Sequence, residues 1–173
     1  MIIRELTIPE YESRIPRLGA ILIDAVASGA GVSFLHPLSK DVAEAFWRKQ
    51  VPDVSSGNTI QFIAEEDGVI AGTVLLQKAW APNQPHRCEV AKLLVHQEFR
   101  RRGLGTLLMQ VLERKARDLD LSLITFDTVA HGPAEAFYRG LGFTCAGLIP
   151  KYALSLKDIP DDTAIFYKEL APD

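Results

Sequence analysis

Cysteine is scarce in this chain: Cys88 and Cys145 are the only two. They form no CxxC pair and no histidine cluster stands beside them, which excludes an evident structural zinc site and fits a reducing compartment. Basic residues are not in excess, since 19 Lys and Arg against 22 Asp and Glu leave a formal net charge of −3. That balance argues against a general nucleic-acid binder. The start, Met1-Ile2-Ile3-Arg4-Glu5-Leu6, has no basic segment followed by a long apolar run, so a signal peptide is not expected. No apolar stretch approaches bilayer length. Repeats, low-complexity tracts and linkers are missing too. The 173 residues are 47% hydrophobic and 24% charged, so the expectation is one cytoplasmic domain over 1–173. Neither nucleic acid, membrane nor metal is expected as a partner, and the chain is expected to be a monomer or homodimer.

What is present alternates between strands and helices. Residues 2–6 read as a strand, and Thr7-Ile8-Pro9-Glu10 as a capping box opening a helix on Ile15, Leu18, Leu22 and Val26. Gly29 and Gly31 end that helix. A second helix starts after Ser39 with Val42, Phe46 and Trp47, and 53–58 reads as a turn. Strands at 59–65 and 69–80 flank Glu66-Asp67-Gly68, a hairpin signal. Then follow a loop (81–87), a strand (88–95), an amphipathic helix (103–119), a strand (121–129), a short helix from Pro133 and strands at 143–149 and 164–170. The order implies a mixed sheet with helices packed on it, an α/β fold.

Chemistry enters at Val95-His96-Gln97-Glu98-Phe99-Arg100-Arg101-Arg102-Gly103-Leu104-Gly105-Thr106. A strand passes through a charged turn into a helix with two glycines at its first turn. Helix-start amides have no partner within the helix, and the dipole there favours an anion. Glycine removes a Cβ that would hold a phosphate away, and arginine adds charge-assisted hydrogen bonds. A Walker loop would need Gly-Lys-Ser/Thr, and a dinucleotide fingerprint would need a third glycine where Leu108 stands. A charged turn that only caps a helix is the remaining alternative.

The pattern Arg-x-x-Gly-x-Gly after Leu93-Leu94-Val95 resembles the cofactor motif of the GCN5-related N-acetyltransferase (GNAT) family. Ala136-Phe137-Tyr138-Arg139-Gly140-Leu141-Gly142-Phe143 resembles that family's second signature. Within the family, Val90–Leu94, Phe126-Asp127-Thr128, Ala134–Tyr138, residues 29–34 and residues 163–167 look most like its tabtoxin-resistance branch. The resemblance implies a mostly antiparallel sheet with one splayed parallel pair, and acetyl-CoA as acetyl donor. It implies that the backbone of Leu93, Leu94 and Val95 meets the pantetheine arm, and that the loop Arg100, Arg101, Arg102, Gly103, Leu104, Gly105 and Thr106 holds the pyrophosphate, with the amides from Arg101 to Thr106 as donors. His131 stands where many members carry a cofactor-contacting Asn.

Acetyl transfer to an amine requires loss of a proton from an ammonium of pKa about 10, donors for an oxyanion and a proton for the departing thiolate. Tyr138 fills the acid position of the motif, with Phe137 as the expected core aromatic beside it. Glu89 and Asp127 are the candidate bases, singly or together through water, because carboxylates inside such apolar strands run against propensity. Phe34, His36, Trp80 and Tyr152 are the candidate substrate walls, with Lys151 as a cation for a substrate carboxylate. The expected acceptor is a small amino-acid-like amine. A peptide N-terminal acetyltransferase and a non-catalytic acyl-CoA sensor are the alternatives.

Overall fold

The computed structural model describes residues 1–155 and 158–171. Seven strands form one sheet: β1 (Ile2–Glu5), β2 (Thr59–Glu66), β3 (Val69–Lys78), β4 (Arg87–Val95), β5 (Leu123–Val129), β6 (Thr144–Leu154) and β7 (Pro160–Glu169). Their order is β1-β2-β3-β4-β5-β7-β6. Neighbours are antiparallel except β4 and β5, which run parallel. Asp67 and Gly68 turn β2 into β3 with φ of 50° and 79°, the left-handed pair that a tight hairpin demands.

Four helices cover the sheet: α1 (Ile8–Ala27), α2 (Lys40–Ser55), α3 (Leu104–Asp118) and α4 (Pro133–Gly140). α1 opens on the expected capping box, where the Thr7 amide donates to Glu10 Oε1 at 3.0 Å. Arg4 grips the same carboxylate at 2.6 and 2.9 Å, which lowers its pKa to about 2. The helix closes with Gly29 at φ 85°. There the Gly29 and Ala30 amides donate to the carbonyls of Val26 and Ala25, each at 3.0 Å, a Schellman ending that needs glycine.

Each sheet face has its own core. On one, Ile15, Leu18, Ile21 and Leu22 of α1 and Trp47 of α2 bury against Ile63, Ile70, Leu75 and Leu94. On the other, Leu104, Leu108, Met109 and Leu112 of α3 meet Phe62, Val74, Val90, Ile124, Phe126 and Phe166. Each fully buried side chain of this size stabilises by about 1.5–3 kcal/mol relative to exposure. Among the described residues, no helix is long and apolar enough to cross a membrane.

β4 departs from regular pleating. Thr73 pairs with Leu94 and Leu75 with Ala91, so Val74 alone faces both Lys92 and Leu93. Lys92 takes φ 51°. This is a β-bulge, one extra residue that bends its strand. Before it Cys88 and Val90 face the α3 core; after it Leu93 and Val95 do. Ala91 and Leu94 face the α1 core instead.

Several boundaries differ from the sequence reading: β5 begins at Leu123 rather than 121 and β7 at Pro160 rather than 164. β3 ends at Lys78, leaving Trp80 in the following loop. α2 continues through Pro52 to Ser55, because a proline in the last turn removes one amide and leaves the remaining bonds, such as Ser56 N to Pro52 O at 3.0 Å. β6 runs through Pro150-Lys151-Tyr152, where a loop was expected. It is an edge strand with a register shift between Ile149 and Ala153, the setting in which a strand tolerates proline.

Candidate active site

β4 and β5 pair over three positions only: Arg87 with Leu123, Cys88 with Ile124 and Glu89 with Thr125. Beyond them the strands part. Val90–Val95 and Phe126–Val129 then frame a cleft of about 490 Å³, because the bulge at Lys92 turns β4 away from its neighbour. The end of α1, the loop through Ser33, the start of α4 and Tyr138 complete its walls.

At the open end β4 passes through a 3-10 turn, Gln97–Phe99, into α3. Gly103 caps α3 at φ 76° with no side-chain capping bond. The first helical bond runs from the Leu107 amide to the Gly103 carbonyl at 3.1 Å, so the amides of Leu104, Gly105 and Thr106 precede it and point out of the helix start. The two glycines serve different ends. At Gly103 a Cβ would meet nothing within 4 Å, and the positive φ is what calls for glycine. At Gly105 a Cβ would press on Phe137 Cζ at 3.3 Å, so its smallness seats α3 against α4.

The three arginines also divide. Arg100 donates to the Val95 carbonyl at 2.9 Å, to Asp24 at 2.9 Å and to Ser28 Oγ at 3.2 Å; it ties the loop to α1 while lining the cleft. Arg102 pairs with Glu66 at 3.2 Å, donates to the Glu98 carbonyl at 3.0 Å and lies 5.3 Å over the Phe99 ring. Arg101, at φ 63°, has no ion pair among the described residues. Two of the three arginine side chains are thus engaged in holding the loop's shape.

Tyr138 projects from α4 into an aromatic cluster, its ring 4.2 Å from Phe126, 6.0 Å from Phe143 and 6.2 Å from Phe166. It is buried and Phe137 only half-buried, reversing the expected order, because α4 turns position 138 toward β5 and β7 and position 137 toward α3. Burial pushes the Tyr138 phenol up to about 12, so it stays protonated at neutral pH. Asp127, on β5, lines the same cleft and accepts from Thr163 Oγ1 at 3.1 Å.

The acetyltransferase (GNAT) family model matches residues 29–143, the stretch that contains β4, the phosphate loop, β5 and α4. The chain belongs to the GNAT acetyltransferase family. It is 34% identical over 91 residues to a protein named probable N-acetyltransferase 14 from Danio rerio, covering 50% of this chain and 30% of that protein. It is 30% identical over 108 residues to an uncharacterized N-acetyltransferase from Azospirillum brasilense, covering 60% and 61%. The matched stretches therefore span less than two thirds of those relatives' lengths. Among solved structures, a ribosomal-protein-alanine N-acetyltransferase from Brucella melitensis superposes with a TM-score of 0.80 at 20% identity, covering 98% of this chain and 100% of that one. A Salmonella typhimurium protein solved with acetyl-CoA gives 0.78 at 19%, covering 100% and 98%. These two likenesses concern the fold.

Within this GNAT framework the other expected residues fall in several places. Glu89 stands at the last paired position of β4, exposed, where Arg87 holds it at 2.6 Å while also donating to Thr125 Oγ1 at 2.7 Å. It does not line the cleft. Phe34 and Tyr152 line a second cleft of about 360 Å³, which shares Gly29–Ser33, Asp127 and Val129 with the first. Gly31 fits there because any Cβ would collide with the Val129 side chain. Trp80 is 91% exposed, and neither it nor His36 lines either cleft. His131, at φ 60°, is exposed and donates its backbone amide to Glu135 at 2.8 Å; its neighbours Gly132 and Pro133 line the cleft in its stead. Lys151 lies outside both linings, its amide bonded to Asp162 at 2.9 Å. Cys88 is an ordinary buried strand residue whose thiol burial pushes up to about 12.

One cleft residue escaped the sequence reading. Lys92 interrupts the apolar run Val90-Ala91-Lys92-Leu93-Leu94-Val95. A charge inside a strand is the same signal that singled out Glu89 and Asp127, and it points to the residue at the bulge.

Proposed function

We propose that this chain is an acetyl-CoA-dependent N-acetyltransferase that acetylates the primary amine of a small, amino-acid-like molecule. The observation that carries this reading is the parting of β4 and β5 into a cleft whose open end meets the free amides of α3. The residues present suit acetyl-CoA: the edge of Leu93–Val95 offers peptide groups to a pantetheine arm, and the α3 amides with Arg101 offer donors and charge to a pyrophosphate. Acetyl-CoA supplies an acetyl group activated as a thioester.

The remaining chemistry falls to the protein. Tyr138 keeps its proton at the cleft wall and donates it to a thiolate whose ordinary pKa is about 8.5. Amides of β4 at Leu93 and Leu94 donate to the developing oxyanion. Asp127, in the cleft wall, receives the ammonium proton, directly or through water, while Glu89 stays engaged with Arg87 outside the cleft. The two connected clefts, about 490 and 360 Å³, support a small acceptor, with Phe34 and Tyr152 as its walls. Similarity to the tabtoxin-resistance branch points to the same class, a toxin or antibiotic bearing an amino group. Two free cysteines suit action in the cytoplasm.

The test is a thiol-release assay with acetyl-CoA against amino acids, simple amines, aminoglycosides and peptides at equal concentration. The expected outcome is turnover confined to amino-acid-like acceptors, with acetyl-CoA raising the melting temperature by mass action. Stabilisation without any turnover would favour the sensor reading. Turnover with peptides or aminoglycosides alone would overturn the acceptor but leave the acetyltransferase.

A further inference from the structure

Lys92 is an ammonium in an unusual place. The bulge sets it at φ 51° in the cleft wall, on the same sheet face as Ala91 and Leu94. Its Nζ lies 5.3 Å from the Phe46 ring and 5.9 Å from the Phe34 ring. Aromatic faces attract a cation but do not neutralise it. Among the described residues no carboxylate stands within ion-pair distance of Lys92, whereas Arg87, Arg100 and Arg102 nearby have Glu89, Asp24 and Glu66. A half-buried cation without a counter-charge is costly to the folded protein unless a ligand supplies one. Burial accordingly lowers its pKa, and the charge of Asp127 opposes that shift.

Asp127 lies across the gap. Ile124 and Phe126 face the α3 core, so alternation turns Thr125 and Asp127 to the opposite face, the one Lys92 occupies. The parted strands therefore carry one unmatched cation on β4 and one carboxylate on β5, both lining a single cleft.

Resting on the acceptor class proposed above, we infer that Lys92 holds the α-carboxylate of the acceptor while Asp127 holds its ammonium, so that the enzyme selects free α-amino acids by both charges at once. An α-amino acid bears its two charges on one carbon, oriented opposite to the Lys92 and Asp127 pair. A simple alkylamine leaves Lys92 uncompensated, and a peptide N-terminus puts a neutral amide where the carboxylate belongs. Selection thus comes from what the wrong acceptor leaves unpaired. Lys92 is a specificity residue and takes no part in proton transfer.

The experiment measures kcat and KM for the standard α-amino acids that carry a primary amine and for the methyl ester of each, in the wild type and in Lys92→Met, Lys92→Gln and Lys92→Arg, with melting curves to verify folding. Methylation removes the carboxylate charge and keeps the amine. We expect the wild type to prefer acid over ester, and Lys92→Met and Lys92→Gln to lose about 10²-fold in kcat/KM for the acid through KM, the scale of one charged hydrogen-bond partner. Their rates with esters should rise, because no cation is then left unpaired, and Lys92→Arg should retain part of the acid preference. Loss of acid and ester turnover alike would show a structural role. An acid preference that survives in Lys92→Met and Lys92→Gln would overturn the assignment and leave the acceptor class standing. A wild type that acetylates only amines bearing no carboxylate, and none of these acids, would overturn both.

Discussion

The two ends of the β4–β5 pair are built from the same two strands and behave oppositely. At the closed end three residue pairs are in register, and Arg87 bridges Glu89 to Thr125. Polar groups there already have partners inside the protein. At the open end, beyond the bulge, Asp127, Lys92 and the edge of Leu93–Val95 face a cleft with little internal partnering. A sheet thus becomes a site by withholding pairing over half of one ladder. The residues most able to act on a ligand are those the fold has left unmatched.

That contrast is sharpened most by Tyr138→Phe at the open end. The ring and its packing on Phe126 survive, the proton donor does not, and kcat should fall by about 10²-fold. Acetyl-CoA affinity, measured by calorimetry, should stay unchanged; intact turnover would make the tyrosine purely structural. Next comes a matched pair of carboxylates. Asp127→Asn should lower turnover at least about tenfold, whereas Glu89→Gln, already engaged with Arg87, should lower it less. Equal losses would erase the distinction between the ends and bring Glu89 into proton removal.

At the closed end the expected effects are on stability. Arg87→Met removes the bridge between β4 and β5, leaves the Thr125 hydroxyl without its donor and should cost about 1–2 kcal/mol. A melting temperature lowered by about 2–6 °C, with acetyl-CoA affinity preserved, would support that division. The smallest effect belongs to neither end. Glu10 has its pKa lowered from 4.5 to about 2, chiefly by its hydrogen bonds to Arg4. Its contribution is complete above about pH 4.5 and is lost as the pH falls toward 2. Glu10→Gln should flatten that part of a melting-temperature profile, modestly, because the pair is partly solvated.

Much of this was legible in the residues. Asp67-Gly68 announced its hairpin, Thr7 and Glu10 their capping box, and Leu104 to Ala116 the helix behind the loop, since each signal is local. The loop and Tyr138 were legible as motifs. What the sequence did not disclose depends on geometry between elements. Nothing local shows that the side chains of Arg100 and Arg102 meet Asp24 and Glu66 across space. Trp80 stands outside the clefts because β3 stops two residues before it, at Lys78. Lys92 read as nothing at all, because its importance arises from a pairing register with β3.

That register has a further consequence for the two cores. The bulge at Lys92 is a change of phase: even-numbered residues supply the α3 layer before it and odd-numbered ones after it. Removing Lys92 would bring the strand back into step with Leu93 and Val95 still in the α3 core and Ala91 and Leu94 still in the other. The two cores therefore do not need the extra residue; the cleft, which takes its cation from it, does.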